Sequence, residues 1–327
     1  MLHFFCTLLG WEYLKSDRIL TDGKSRIILR SASAPSGLES ATIKGALLDE
    51  CGQDDFRLGS WEAVLRRLSL SGGRVLGTTT PYNLGWLKQE IFDRWIAGDP
   101  DYQVVQFKST MNPNFPMAEY ERAKRTLPLW KFLMFYDGLF TRPAGMIYSD
   151  YNENIHKIEP FSINPEWPRY VGVDFGAVHT ALLWLAENPV TNVFYLYREY
   201  LEGGKSTNQH CADVLKLGEG ENVTRYTGGA PSEEQQRMDW YDGGIIVDKP
   251  GVSDVEAGID RVISLLKTKR LYIFNTCKMV LDEIGTYARK LDDSGQPTEE
   301  IKDKAKFHLL DALRYNVIGA ETGLQIF

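Results

Sequence analysis

Cysteine is scarce in this 327-residue chain: Cys6, Cys51, Cys211 and Cys277 stand far apart and form no CxxC pair. That spacing excludes the usual zinc-site signatures and the dense disulfide scaffold of a small secreted domain, and it predicts reduced thiols with no structural metal on sulfur. Positive charge is also in deficit. Lys and Arg number 37 against 44 Asp and Glu, a formal net charge of −7, which excludes a protein that coats nucleic acid through a broad basic surface, because cationic side chains drive such binding by releasing counterions. Local contact stays open. No stretch approaches the roughly 18 consecutive apolar residues of a membrane span, and no repeat or low-complexity tract is visible. The apolar opening from Met1 to Gly10 has neither a basic leader nor a small-residue cleavage site. The expectation is a soluble intracellular protein with no membrane role. One further absence concerns chemistry: there is no GxxxxGK[ST] phosphate loop. Asp22-Gly-Lys-Ser25 ends like one, but Arg18 stands where its first glycine belongs, and a strand follows where a helix is needed.

What is present suffices for two cores, with 43% hydrophobic and 12% aromatic residues over a length typical of two domains. Residues 26–30 predict a short buried strand, followed by a turn-rich loop of Ser, Ala, Pro and Gly through Gly37. Ile43 to Glu50 is an apolar run ending in two acids, Ser60 to Leu70 has helical periodicity, and Arg74 to Pro81 predicts a strand stopped by proline. Strand, helix and strand at this spacing imply a βαβ unit with a parallel sheet, whose ligands gather at the carboxyl ends of the strands. Leu87 to Ala97 predicts a helix, Tyr102 to Phe107 another strand, and Met117 to Gly138 a charged amphipathic stretch interrupted at Pro128. Residues 145–168 lose periodicity, which places a linker at 151–167 between a domain at 1–150 and another at 168–327.

The second domain opens with Arg169-Tyr-Val-Gly-Val-Asp-Phe-Gly176, and strand-like runs at Thr180–Leu185 and Val193–Glu199 predict an antiparallel meander. Helices at Asn208–Leu217, Ser253–Lys267, Lys278–Leu291 and Lys304–Gly319 alternate with short strands near Thr224–Tyr226 and Leu271–Phe274. The pattern is α/β. Asp174 then stands inside a buried strand, where a carboxylate must be paired, protonated or bound to metal. The Phe175-Gly176 pair after it would let a substrate backbone approach. On the last helix His308, Asp311 and Tyr315 share a face; read alone, Asp311 pairs with Arg314 or Lys304. In combination, an acid in the first strand and one on the last helix can converge at one sheet edge. Two-metal phosphodiester hydrolysis uses ions about 4 Å apart held by three or four carboxylates, and hard oxygen ligands select Mg²⁺ or Mn²⁺. The third acid is expected at Glu233, with Glu234 and Asp303 as alternatives; Glu233 could equally complement a helix dipole.

The ordered set Ala46-Leu-Leu-Asp-Glu50, Gly77-Thr-Thr-Thr-Pro81, Val171-Gly-Val-Asp-Phe-Gly176, Gly258-Ile-Asp-Arg-Val262, Leu281-Asp-Glu-Ile-Gly-Thr-Tyr287 and His308–Tyr315 resembles the large terminase subunits of tailed bacteriophages, which translocate and cut DNA during head filling. The resemblance implies an incomplete P-loop-type ATPase domain followed by a ribonuclease-H-like nuclease domain. It gives Asp49 the role of a Walker B magnesium ligand and Glu50 that of orienting the attacking water, with Thr78 and Thr79 as γ-phosphate sensors. Without a phosphate loop, the expectation is a chain lacking the front of the ATPase domain, binding ATP only if that loop is supplied elsewhere. The family also departs from this chain at the central strand, where many relatives carry Asp and Gly228-Gly229 stands here. The implied partners are double-stranded DNA, the small terminase subunit and the portal, in the host cytoplasm and transiently at the procapsid portal. Two other readings compete. An actin-like or sugar-kinase ATPase would need a second Asp-Gly phosphate loop and a glycine-rich adenine site, and neither is evident. A non-catalytic fragment binding DNA, portal or small subunit is the alternative from a different class. Lys267, Lys269, Arg270, Arg289 and Lys290 are candidate phosphate contacts or ordinary solvated charges.

Overall fold

The computed structural model describes residues 6–32, 42–53, 55–127, 129–141, 144–176, 178–292 and 296–322. Most of the loop expected through Gly37 and the interruption at Pro128 lie outside these residues. The first three strands, β1 (Glu12–Leu14), β2 (Ile19–Thr21) and β3 (Arg26–Ile28), form an antiparallel meander of their own. The strand expected at 26–30 is thus present, but only half-buried. Asp22-Gly-Lys-Ser25 is the turn between β2 and β3: the Asp22 carboxylate accepts from the backbone N–H groups of Lys24 and Ser25 at 2.8 and 2.6 Å. It is a hairpin turn, not a phosphate cradle.

The βαβ unit is found as expected. Strands β4 (Gly45–Asp49) and β5 (Arg74–Thr78) pair in parallel around helix α1 (Leu58–Leu68). Leu48 and Val75 pack on Phe56, Leu58, Trp61 and Trp86, because the period-2 pleat turns alternate residues toward α1. The in-register pair Leu47 and Leu76 faces away, 59% and 64% exposed. Next come a π-helical turn at Lys88–Phe92 leading into α2 (Asp93–Ile96), then α3 (Met117–Thr126) and α4 (Leu129–Asp137). Tyr102–Phe107, expected as a strand, forms none. Its residues carry no regular secondary structure, Val105 and Phe107 are exposed, and among the described residues no neighbouring strand supplies the ladder that would make the segment part of a sheet.

The remainder is built on a seven-stranded sheet. Residues 151–167, expected as a linker, supply α5 (Glu153–His156) and the edge strand β6 (Lys157–Ile158). Strands β7 (Arg169–Phe175), β8 (His179–Asn188) and β9 (Val193–Gly203) make the predicted antiparallel meander. Helix α6 (Thr207–Leu217) leads to β10 (Val223–Gly228), α7 (Glu234–Asp242) and β11 (Val247–Asp248). Then follow α8 (Val255–Lys267), β12 (Leu271–Phe274), α9 (Lys278–Thr286), the hairpin of β13 (Arg289–Leu291) with β14 (Pro297–Ile301), and α10 (His308–Thr322). Strand order is β11-β10-β7-β8-β9-β12-β6, with β10 and β11 parallel to β7. A three-stranded meander extended beyond its first strand by two parallel strands is the ribonuclease-H-like arrangement, so the expected α/β class holds. The helix expected over Lys278–Leu291 ends at Thr286, because Tyr287 turns its ring into the core and Arg289–Leu291 pairs with β14.

Helices cover both faces of this sheet. Val171, Val173, Phe175, Leu182 and Trp184 pack against Cys211, Val214 and Trp240 of α6 and α7. Tyr170, Ala181, Leu183 and Leu185 face the opposite layer of α8, α9 and α10. Covered on both sides, β8 shows no exposed residue between Thr180 and Glu187, which is why it reads as a continuous apolar run. On β7 the alternation puts Tyr170, Gly172 and Asp174 toward α10. Gly172 permits the contact, since a Cβ there would lie 1.9 Å from the Ala312 carbonyl oxygen. Asn316 of α10 donates to the carbonyls of both Tyr170 and Leu183, at 3.2 and 2.7 Å. Together they pin the helix across β7 and β8, with its first turn at the carboxyl end of β7.

Candidate active site

Asp174 is the penultimate residue of β7, and its partner comes from 134 positions away. His308, at the start of α10, places Nδ1 2.8 Å from Asp174 Oδ2, with the two side chains 26% and 14% exposed. That hydrogen bond, more than the cost of burial, holds the His308 imidazolium above the usual histidine range. One turn on, burial pushes the Asp311 carboxyl upward, and the nearby Asp174 charge adds to the shift while Arg314 opposes it. Arg314, almost fully buried, is ion-paired to Asp311, as the isolated reading of this helix anticipated. Tyr315 completes the face: burial first, then Asp311, Asp174 and Glu233, push its phenol up to about 12. Asp174 and Asp311 therefore lie at one end of the sheet, with His308 beside the first and Arg314 beside the second.

The other candidates are placed differently. Glu233 lies in the turn after β10 and accepts from the Ala230 N–H at 2.5 Å, immediately before α7. Glu234 is 73% exposed and pairs with the buried Arg237. Asp303 has a left-handed backbone, φ 51°, and lies 3.5 Å from Lys306. Gly176 has an immediate packing reason, as a Cβ would meet the His179 carbonyl oxygen at 1.9 Å and His308 Cε1 at 3.2 Å. Among the described residues, no three His, Cys, Asp or Glu side chains stand together as a ligand set. Asp174 and Asp311 fit a hard divalent ion in donor chemistry, and a cation would relieve the like-charge strain on Asp311; as placed, they do not close a shell around one.

The acids and threonines of the βαβ unit do meet. Thr78 Oγ1 donates to Asp49 Oδ1 at 2.9 Å, Thr79 Oγ1 accepts from the Gly52 N–H at 2.8 Å, and Tyr82 donates to Glu50 at 3.2 Å. Glu50 holds a left-handed backbone, φ 51°. Of the candidate phosphate contacts, Arg289 is bound to Glu256, Lys290 to Glu300, and Lys267 lies 3.7 Å from Asp150. Arg270 donates to the Asn192 carbonyl at 2.7 Å. These are mostly paired surface charges.

Two residues escaped the sequence reading. Asp282 and Glu283 sit side by side on α9, each 5% exposed, within the Leu281–Tyr287 run. The available signal was a pair of acids in an otherwise apolar helix, where buried charge needs a reason.

No profile of a known protein family matches the chain. A curated relative, the large terminase subunit of Escherichia phage T5, is 21% identical over 323 residues, covering 95% of this chain and 73% of that protein. The solved large terminase of a thermophilic bacteriophage, in complex with ADP, is 21% identical, with a TM-score of 0.48 over 97% of this chain and 80% of the other. The large terminase nuclease domain of bacteriophage SPP1 with bound Mn is 20% identical, with a TM-score of 0.41 over 50% of this chain and 95% of that domain. Neither superposition is close enough to assign a role to a residue. Among the described residues, no helix is long and apolar enough to cross a membrane. The ordered motifs and the sequence match agree: along nearly its whole length, this chain resembles the large terminase subunits of tailed bacteriophages.

Proposed function

We propose that this chain is a DNA-packaging terminase subunit whose 168–327 region cuts double-stranded DNA with the help of Mg²⁺ or Mn²⁺. The observation that carries the proposal is the meeting of Asp174 with His308 and Asp311, delivered from opposite ends of the fold to one sheet edge. Asp174 and Asp311 would hold the metal, with Glu233 as third acid. A bound divalent pair supplies hydroxide at neutral pH and stabilises the leaving oxygen. The chain's own residues set the stage. His308 fixes the orientation of the Asp174 carboxylate through its Nδ1–H, and the Arg314 ion pair opposes the upward push of burial on the Asp311 carboxyl. With a net charge of −7, contact with a DNA backbone has to be local.

Asp49, Glu50, Thr78 and Thr79 are proposed as part of an ATP site, and because the sequence carries no phosphate loop, ATP hydrolysis by this chain alone is not part of the proposal. The small terminase subunit and the portal are the proposed partners, and the host cytoplasm and procapsid portal the proposed location. A second reading, a fragment that binds DNA, portal or small subunit without chemistry, is favoured by one observation: the unclosed ligand set among the described residues.

The test is supercoiled plasmid incubated with the purified chain and Mn²⁺ or Mg²⁺, beside Asp174→Ala, Asp311→Ala and an EDTA control. Cutting by the wild type that falls to the EDTA level in both variants is the expected result. A folded wild-type chain that leaves plasmid intact with either ion removes the nuclease reading in favour of the binding one.

A further inference from the structure

The first turn of α10 presents His308 and Asp311, yet it has no cap of its own. The residue before the helix is Phe307, whose side chain has no acceptor for the orphan N–H groups of a helix start. Phe307 is instead buried, its ring 4.8 Å from that of Tyr287 and beneath the guanidinium of Arg57. The missing acceptor comes from another helix. Glu283 of α9 accepts from the backbone N–H groups of Leu309 and Leu310, at 3.4 and 3.0 Å. A Ser or Asp at position 307 would cap the helix locally at little cost. A buried carboxyl is the expensive solution, and what it adds is a fixed relation between α9 and α10. Its burial pushes the Glu283 carboxyl well above the ordinary range, while the two amides pull the other way.

The neighbouring acid faces the other part of the molecule. Asp282 Oδ1 accepts from the Trp86 N–H at 2.5 Å. Around that bond, Leu84 N–H donates to the Gly285 carbonyl at 3.2 Å, Gln89 to the Leu281 carbonyl at 3.0 Å, and Arg57 to Thr286 at 3.2 Å. Trp86 in turn stacks on Phe56 and Trp61, in the cluster that also holds Leu48 of β4 and Val75 of β5. Trp86 follows closely on the segment Thr78–Pro81 that ends β5. A line of contacts therefore runs from Val75 of β5 through Trp86, Asp282 and Glu283 to the turn that carries His308.

Building on the cleavage reading of that site, we infer that Asp282 and Glu283 are positioning residues. Glu283 fixes the first turn of α10, and with it His308 and Asp311, and Asp282 ties the same helix to the segment following Thr78 and Thr79. Neither acid touches the reacting atoms. The arrangement makes the geometry of the cutting site depend on how the loop at Trp86 is seated.

Amide hydrogen exchange on the full chain, read beside Mn²⁺-dependent plasmid nicking, tests this. Glu283→Ala should speed exchange at Leu309–Asp311 about tenfold, the loss expected of a cap, while the centre of β8 keeps its protection. In nicking, kcat should fall with little change in KM for plasmid, and Glu283→Gln should recover much of both effects, since its amide oxygen still accepts from one N–H. Asp282→Asn should loosen residues 86–90 and, more weakly, Leu309–Asp311. Unchanged exchange at Leu309–Asp311 in a folded Glu283→Ala chain overturns the inference, as does a loss of protection spread evenly through β8. Should Glu283→Ala not fold, Glu283→Gln decides: partial protection at Leu309 and Leu310 supports the positioning role, and full wild-type protection or none overturns it. A wild-type chain that protects these amides but never nicks plasmid defeats the cleavage reading alone, leaving the exchange data to decide the positioning.

Discussion

Strands β4 and β7 have the same local recipe, an apolar run that ends in an acid, and they put that acid in opposite environments. On β4, exposed and half-buried residues alternate, Asp49 and Glu50 are exposed, and Asp49 is met by the Thr78 hydroxyl. On β7, helices close over both faces, and Asp174 sits where its charge has to be answered by His308. The layers around a strand, and not the acid at its end, decide whether a carboxylate is left to solvent or has to be answered by a partner inside the fold. The difference also shows in the flanking apolar residues: Leu47 and Leu76 are more than half exposed, whereas Trp184 of β8 is 0% exposed.

That contrast predicts the largest effect in stability. Trp184→Ala leaves a cavity between β8 and the α6–α7 layer and should cost about 3–5 kcal/mol, lowering the urea midpoint accordingly. Leu76→Ala, on the uncovered face of β5, should stay within about 0.5 kcal/mol. Comparable losses in the two variants would mean that the outer face of β4 and β5 is covered in solution, and the comparison would collapse.

A smaller effect is expected from a matched pair of strand glycines. Gly172→Ala drives a methyl group into the backbone of α10 at Ala312, an overpacking that should cost about 1–3 kcal/mol and displace the turn bearing His308. Gly45→Ala, at the start of β4, meets only the Arg74 carbonyl oxygen at an ordinary 3.5 Å and should be neutral or slightly stabilising, because alanine restricts the unfolded chain. Thermal melts of the two variants separate the cases. A Gly172→Ala protein that melts like the wild type would show that α10 can slide on β7 without cost.

Much of the architecture is legible in the sequence, and the reasons are local. The meander is readable because three apolar runs are joined by short turns, and Asp174 because it interrupts one of them. The βαβ unit follows from its spacing. Tyr102–Phe107 misleads because a strand is a pairing, and the partner's absence cannot be seen in the segment itself. The overextension of α9 to Leu291 has the same origin: nothing in Tyr287-Ala-Arg-Lys-Leu291 marks a stop, and the end is set by Tyr287 entering a core assembled from distant residues and by the pairing with β14. Helix α7 escapes a periodicity search because its sequence, Glu234–Asp242, is polar on nearly all sides. The bonds that define the candidate site, His308 to Asp174 and Glu283 to Leu310, join residues 134 and 27 positions apart. The sequence singles out Asp174 and His308; it does not single out Glu283, and neither pairing can be read from it.

The subtlest expected difference between the two regions is in pH. In the first, Asp99 and Glu119 are surface acids held below the ordinary carboxylate range, Asp99 chiefly by the Asp101 backbone N–H with help from Arg94, and Glu119 by Arg122. Their contribution is present above the unfolded values and is lost only as pH falls through the lowered ones. In the second, burial pushes Glu187, Glu283 and Asp311 upward, and Glu199 from 4.5 to about 7 in spite of the backbone N–H groups of Met279 and Val280 that it accepts at the start of α9. For a raised carboxyl the sign reverses. The folded state holds the proton more tightly, so the stabilisation is complete below the unfolded value and is lost as pH rises through the folded one. Between about pH 5 and 8 the wild-type melting temperature should therefore fall by an amount that Glu199→Gln reduces, because glutamine keeps the shape and cannot ionise. Melts at several pH values across that window measure the slope. If the Gln variant keeps the wild-type slope, Glu199 is not buried as a titrating group, and enclosure would no longer distinguish the acids of the seven-stranded sheet from those of the first region.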